Sequence, residues 1–175
     1  MNKNAIQKYA VWARNELISQ IKQRAFQYEI SEQGYGDANA TVIAGRALPD
    51  AEKRQRHDFV EFIKRVGYDQ AIEEVAYTWF NRFVALRYME VNDYLPTHVR
   101  VFSDLNGAFN PEILREALHI DLPDISKSKV SELINANATD DLYRYLLLTQ
   151  CNALYYALPE MFERMGGYSE ILFAK

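Results

Sequence analysis

The chain has 175 residues, about half of them apolar, and 20 Lys and Arg against 24 Asp and Glu give a formal net charge of −4. That is enough chain for one domain of ordinary size with its own core, and the acidic balance argues against a domain whose main task is gripping DNA phosphates, with a local basic patch left open. A lone cysteine, Cys151, excludes an internal disulfide framework, and MNKNAIQKYAVWARNELIS has no signal-peptide pattern, so a cytoplasmic protein that no bilayer-length apolar run anchors to a membrane is expected.

In chain order, Ile6, Ala10, Ala13, Leu17, Ile21 and Ala25 recur at helical spacing and predict a first helix over residues 3–28, with Trp12 on its flank. Gly34, Gly36, Gly45 and Pro49 break residues 31–50 into the longest loop. Asp50 is the expected cap of a second helix over 51–66, whose Phe59, Phe62, Ile63 and Val66 form a stripe opposite Lys53, Arg54, Arg56, Lys64 and Arg65, with Gly67 as its stop. Asp69 is the expected cap of a central helix over 69–92 that Pro96 closes off, and HVRVF (98–102) alternates as one short strand.

Asn110 and Pro111 predict a short helix ending near His119, and residues 126–135 a further one. Thr139 is the expected cap of a long buried helix over 140–157, and Pro159 opens a last turn over 160–165. The sum is an all-α fold: one mainly helical domain of six or seven helices around a central buried helix, with at most one short strand or hairpin. Residues 171–175 continue an apolar pattern with no polar termination, as a cut within a linker would.

The central helix is the most informative segment. Ile72, Val75, Trp79, Phe83 and Leu86 line one side and Phe80, Val84, Tyr77, Tyr88 and Val91 another, so little of its circumference is left for water. Arg82, Arg87, Glu90 and Asp93 nevertheless lie on or beside these faces. Charges in such a place are normally paired. They form either a structural ion-pair lattice or a docking face on which Arg82 or Arg87 reaches an absent neighbour, a second domain or a phosphate.

Groups that converge for catalysis are hard to find. His57 and Glu61 share a helix face but lack a third metal ligand, and Cys151 sits at a core position without a histidine nearby in sequence. The carboxylate pairs Asp140/Asp141 and Glu73/Glu74 read as helix first-turn charges. Gly34-x-Gly36 has neither the strand before it nor the helix after it that a nucleotide-binding turn needs. No acidic residue stands two positions before a lysine, which excludes the commonest small metal-dependent nuclease pattern. Lys53, Arg54, Arg56, Lys64 and Arg65, with His57, remain as a possible DNA-contact surface, the alternative being a solvated helix face.

Four segments taken together carry a family resemblance: NKNAIQKYAVWARNELISQI, EEVAYTWFNRFVALRYMEVNDYLPTHVRVFS, PEILREAL and TQCNALYYALPEMFE. In this order they resemble the amino-terminal region of the PglX family, the adenine-specific DNA methyltransferases of BREX phage-defence systems. The resemblance implies a much longer enzyme that moves a methyl group from S-adenosylmethionine to adenine in double-stranded DNA. Its cofactor-binding glycines, its Asn-Pro-Pro-aromatic motif and its target-recognition domain all lie beyond this sequence. Asn110-Pro111-Glu112-Ile113 lacks the second proline and the aromatic of that motif, so no catalytic, cofactor-binding or metal-binding residue carries over, and no cofactor is expected in this chain. The partners implied are the remainder of the methyltransferase, DNA through the full enzyme, and other BREX proteins.

Overall fold

A computed structural model describes residues 3–159, 162 and 167–173. Among them are seven α-helices and one two-stranded antiparallel hairpin, so the expected mainly helical class holds. The chain separates into two compact units, residues 1–81 with 166–174 and residues 82–165, the division falling within helix α3.

The first unit begins with α1 (Lys3–Phe26), of which only Ile21 and Ala25 are buried. The following loop is more ordered than its glycines suggest. Within it β1 (Val42–Ile43) pairs with β2 (Arg46–Ala47), joined by Ala44 and Gly45 at φ 48° and 77°. Two consecutive residues in the left-handed region are what a tight hairpin with the right-handed strand twist requires. Ala44 holds that conformation against its own Cβ. Ala44→Asn is therefore expected to raise stability by roughly 0.5–1 kcal/mol, read as a higher urea midpoint with unchanged slope.

Helix α2 (Asp50–Val66) starts one residue earlier than expected: Pro49 occupies the cap position, and Asp50 contributes first-turn charge and an ion pair to Lys53. Gly67, at φ 92°, ends it as expected. Helix α3 (Tyr68–Val91) follows at once, so Asp69 lies inside its first turn and reaches Lys22 at 3.1 Å. Glu73 and Glu74 sit a turn further in than predicted, held by Arg14 and Gln70. Phe59, Val60, Ile72, Val75 and Trp79 fill the core of this unit with Ile21, Tyr28 and Leu48.

The segment expected to be a cut linker is an element of that core. Helix α7 (Tyr168–Ile171) packs on α2, and Ile171 and Leu172 are buried. The Tyr168 ring stacks on Phe62 at 5.0 Å and Phe173 stacks on Trp79 at 4.1 Å. The Trp79 indole N–H donates to the carbonyl of Ser169 at 2.9 Å, and Arg24 donates to that of Ile171.

In the second unit, α4 (Glu112–Arg115) and α5 (Lys127–Asn135) pack on α6 (Thr139–Tyr155), around Leu86, Val101, Ile113, Val130, Leu146, Leu147 and Leu154. Ser126 caps α5 through its hydroxyl, which accepts from Lys129 N–H. Two other expected caps are replaced. Thr139 lies inside α6 with Ala138 at the cap, and Pro111 stands where Asn110 was expected, leaving α4 a single turn. The turn predicted over residues 160–165 falls largely outside the described residues.

The HVRVF strand does not form. Its amides are taken by carboxylates: Arg100 N–H by Glu112 at 3.2 Å, and Val101 and Phe102 N–H by Glu90, each at 2.8 Å. An alternating pattern supplies no ladder without a neighbouring strand, whereas a buried carboxylate satisfies the same donors directly.

Helix α3 is also less enclosed than its composition predicts. Ala71, Ile72, Val75, Ala76, Trp79, Arg82, Leu86 and Glu90 are buried, but Tyr77, Val84, Tyr88 and Val91 of the second apolar side face solvent. Periodicity shows which faces are apolar, not whether an element exists to cover them.

Candidate functional site

The basic side of α2 divides in two. Arg56 is 1 % exposed and so is not part of a solvent-facing cationic strip. It stands three residues before Phe59 and seven before Ile63, on the buried face. Its guanidinium donates to four loop carbonyls: Tyr28 at 2.9 Å, Asp37 at 2.6 Å, Tyr35 at 2.6 Å and Ala38 at 3.3 Å. Burial draws its pKa down, and the Glu29 and Asp37 carboxylates oppose that. Arg56 is thus an internal brace for the loop after α1. Arg56→Met, which keeps the packing and strands those carbonyls, is expected to cost about 3 kcal/mol in chemical denaturation.

Lys53, Arg54, Lys64 and Arg65 remain on the outer face, interleaved with acids. Lys53 pairs with Asp50 at 2.9 Å and Lys64 with Glu61 at 2.7 Å, so two of these cations are already partly neutralised. The Lys64 ammonium, as hydrogen-bond donor, holds the Glu61 carboxyl below its usual range. Glu61 therefore serves Lys64, and no group of three His, Cys, Asp or Glu suited to a metal occurs among the described residues.

The charges on α3 and just beyond it take three different roles. Glu90 is 2 % exposed. One of its oxygens accepts the Val101 and Phe102 amides, and the other accepts the Ser103 hydroxyl at 3.2 Å and the Arg87 guanidinium. Arg87, half exposed, also donates to Ser103 Oγ at 2.8 Å. Close by, the Tyr143 hydroxyl donates to the carbonyl of Val101 at 2.9 Å, and burial first, then the Glu90 charge, pushes its pKa up. Asp93 belongs to a different setting, exposed and 2.9 Å from His98 Nδ1.

Arg82 is fully buried, and its positive charge reaches Cys151. Burial pushes the Cys151 thiol up to about 12 despite that charge, which keeps it protonated and unreactive. Sequence reasoning missed Ser103 and Tyr143, which join Glu90 only through the tertiary fold. The position of Arg56 was legible in its spacing from Phe59 and Ile63.

These arrangements bind backbone rather than expose reactive groups. Gly34 closes the Ser31–Gly34 turn and Gly36 follows it in the loop before the hairpin, with no strand entering and no helix N-terminus following, so these two glycines do not form a nucleotide-binding turn. No helix among the described residues is long and apolar enough to cross a membrane.

The described residues form a mainly helical fold whose buried charges Arg56 and Glu90 hold its own loops. Over nearly its whole length the chain matches the amino-terminal region of adenine-specific methyltransferases. It is 35% identical to the adenine-specific methyltransferase PglX of Lacticaseibacillus casei (strain Zhang), over an alignment taking in 99% of this chain and 16% of that protein. It is 34% identical to the adenine-specific methyltransferase BrxX of Escherichia coli O9:H4 (strain HS), over 98% of this chain and 15% of that protein. The chain thus spans about one sixth of the length of these relatives. No protein-family model matches it.

Proposed function

We propose that this chain is the amino-terminal, non-catalytic helical domain of an S-adenosylmethionine-dependent adenine-specific DNA methyltransferase acting in BREX-type phage defence, and that it scaffolds the catalytic domain. The observation that carries this reading is the match across 98–99% of the chain to enzymes of which it spans only 15–16%. The uses of Arg56 and Glu90 support it, since both hold loop backbone in place. Methyl transfer, cofactor binding and target recognition then belong to the rest of the enzyme, in the cytoplasm. Titration of residues 1–175 with S-adenosylmethionine in a calorimeter is expected to give no binding heat. Saturable binding would place the cofactor site here and overturn the proposal.

A second reading has its own support: the domain is an interaction module that recruits other phage-defence components without touching DNA. The net charge of −4 and the pairing of Lys53 and Lys64 with acids favour it. Direct DNA contact instead predicts a salt-dependent shift of duplex DNA by the isolated chain. Arg54→Glu, Lys64→Glu and Arg65→Glu together, all on the exposed face, would abolish that shift. Absence of any shift at low salt sustains the interaction role.

A further inference from the structure

Helix α1 is packed only near its end. From Lys3 to Glu16 every residue is exposed except Ala10 and Ala13, which are half-buried. The apolar stripe does not stop where the cover stops: Ile6, Ala10, Ala13 and Leu17 continue, at steps of three and four, the line of the buried Ile21 and Ala25. Tyr9 and Trp12 stand beside it with their rings 5.6 Å apart. The first turns of α1, held to the unit only through half-buried Ala10 and Ala13 and the Arg14–Glu73 ion pair, are marginal in water on their own, and a run of exposed large apolar side chains marks a contact surface.

Charge selects the occupant. Residues 3–17 carry Lys3, Lys8 and Arg14 against Glu16, a net +2 within a chain of net −4, with Arg14 already paired to Glu73. A second copy would bring the same charge against itself. A phosphate backbone would satisfy the cations and leave Ile6 and Val11 in water. An acidic amphipathic protein segment answers both features, and the relatives hold more than four fifths of their length outside the matched region, which spans 16% and 15% of them. We propose that residues 3–17 form the helix on which an acidic amphipathic segment from the rest of the methyltransferase docks, with Ile6 and Trp12 as its anchors. This rests on the reading of the chain as the amino-terminal domain of such an enzyme.

Hydrogen–deuterium exchange of the 175-residue chain and of the full-length methyltransferase containing it tests the proposal. Amides 7–17 are expected to exchange on the order of 100-fold more slowly in the full-length protein. Ile6→Ser with Trp12→Ser, both exposed in this chain and so compatible with its folding, should restore fast exchange there. Lys3→Glu with Lys8→Glu should do so in part. Equal exchange in the two proteins overturns the proposal, as does protection that survives the lysine reversals. Protection of α1 in the short chain alone, with a dimer in sedimentation or after adding duplex DNA, overturns it in favour of a second copy or nucleic acid. Binding of S-adenosylmethionine by the full-length protein reads the parent assignment separately, so cofactor binding with an unprotected α1 defeats the docking helix alone.

Discussion

Replacing Glu90 by alanine is expected to lower stability by about 4 kcal/mol, and replacing it by glutamine by about 3. The small gap between the two is the diagnostic feature. Every partner of this side chain donates: the Val101 and Phe102 amides, the Ser103 hydroxyl and the Arg87 guanidinium. A carboxylate accepts from all four, whereas a glutamine must turn its own NH2 toward one pair and leave buried donors facing donors. Alanine strands both amides and opens a void as well. Arg87→Met should cost far less, about 1 kcal/mol, because half of that side chain is already in water. Urea unfolding of the three variants decides the matter: if Glu90→Gln lies within 0.5 kcal/mol of the parent, Glu90 is not the group that holds residues 101–103.

Leu172→Ala should cost about 3 kcal/mol, and removing residues 167–175 should unfold the first unit, with a loss of about 8 kcal/mol. Leu172 is fully buried, so its truncation leaves a cavity. Removing the segment also takes away Ile171, the Tyr168 and Phe173 stacking and the acceptor of the Trp79 indole, leaving Phe62 and Trp79 uncovered. Trp79 reports the event directly. The chain has two tryptophans, and in a Trp12→Phe background the emission of buried Trp79 should shift to the red on deletion. A shortened chain that keeps the emission and midpoint of the parent would show that the segment only rests on the surface.

The mainly helical class was legible because helical spacing repeats along most of the chain, and α1, α2, α3, α5 and α6 fall close to their expected bounds. The stop at Gly67 was legible for the same reason, but the expected caps Asp50, Asp69, Asn110 and Thr139 were each displaced by a residue or more, and Ser126, read as the start of a helix, is its cap instead. The failures share a cause. HVRVF has a strand pattern and no strand to meet, Tyr77 and Tyr88 have an apolar pattern and no cover, and residues 171–175 read as linker although Ile171 and Leu172 lie in a core.

Of the candidate charges, Arg56 could have been withdrawn from the basic face by counting three and seven residues to Phe59 and Ile63. The loop partners of Glu90 could not, because the amides of Val101 and Phe102 and the Ser103 hydroxyl lie 11 to 13 positions away on a segment with no helical spacing to it, and Tyr143, which holds the Val101 carbonyl, lies 53 positions away. By itself the sequence determined helical periodicity, the amino-terminal methyltransferase relationship and the excess of charge on apolar faces, all of which are local or additive properties. Only the tertiary structure decided which charges went inside and what they hold there, because a buried charge takes whatever donors or acceptors the fold brings to it, and chain separation sets no limit on that choice.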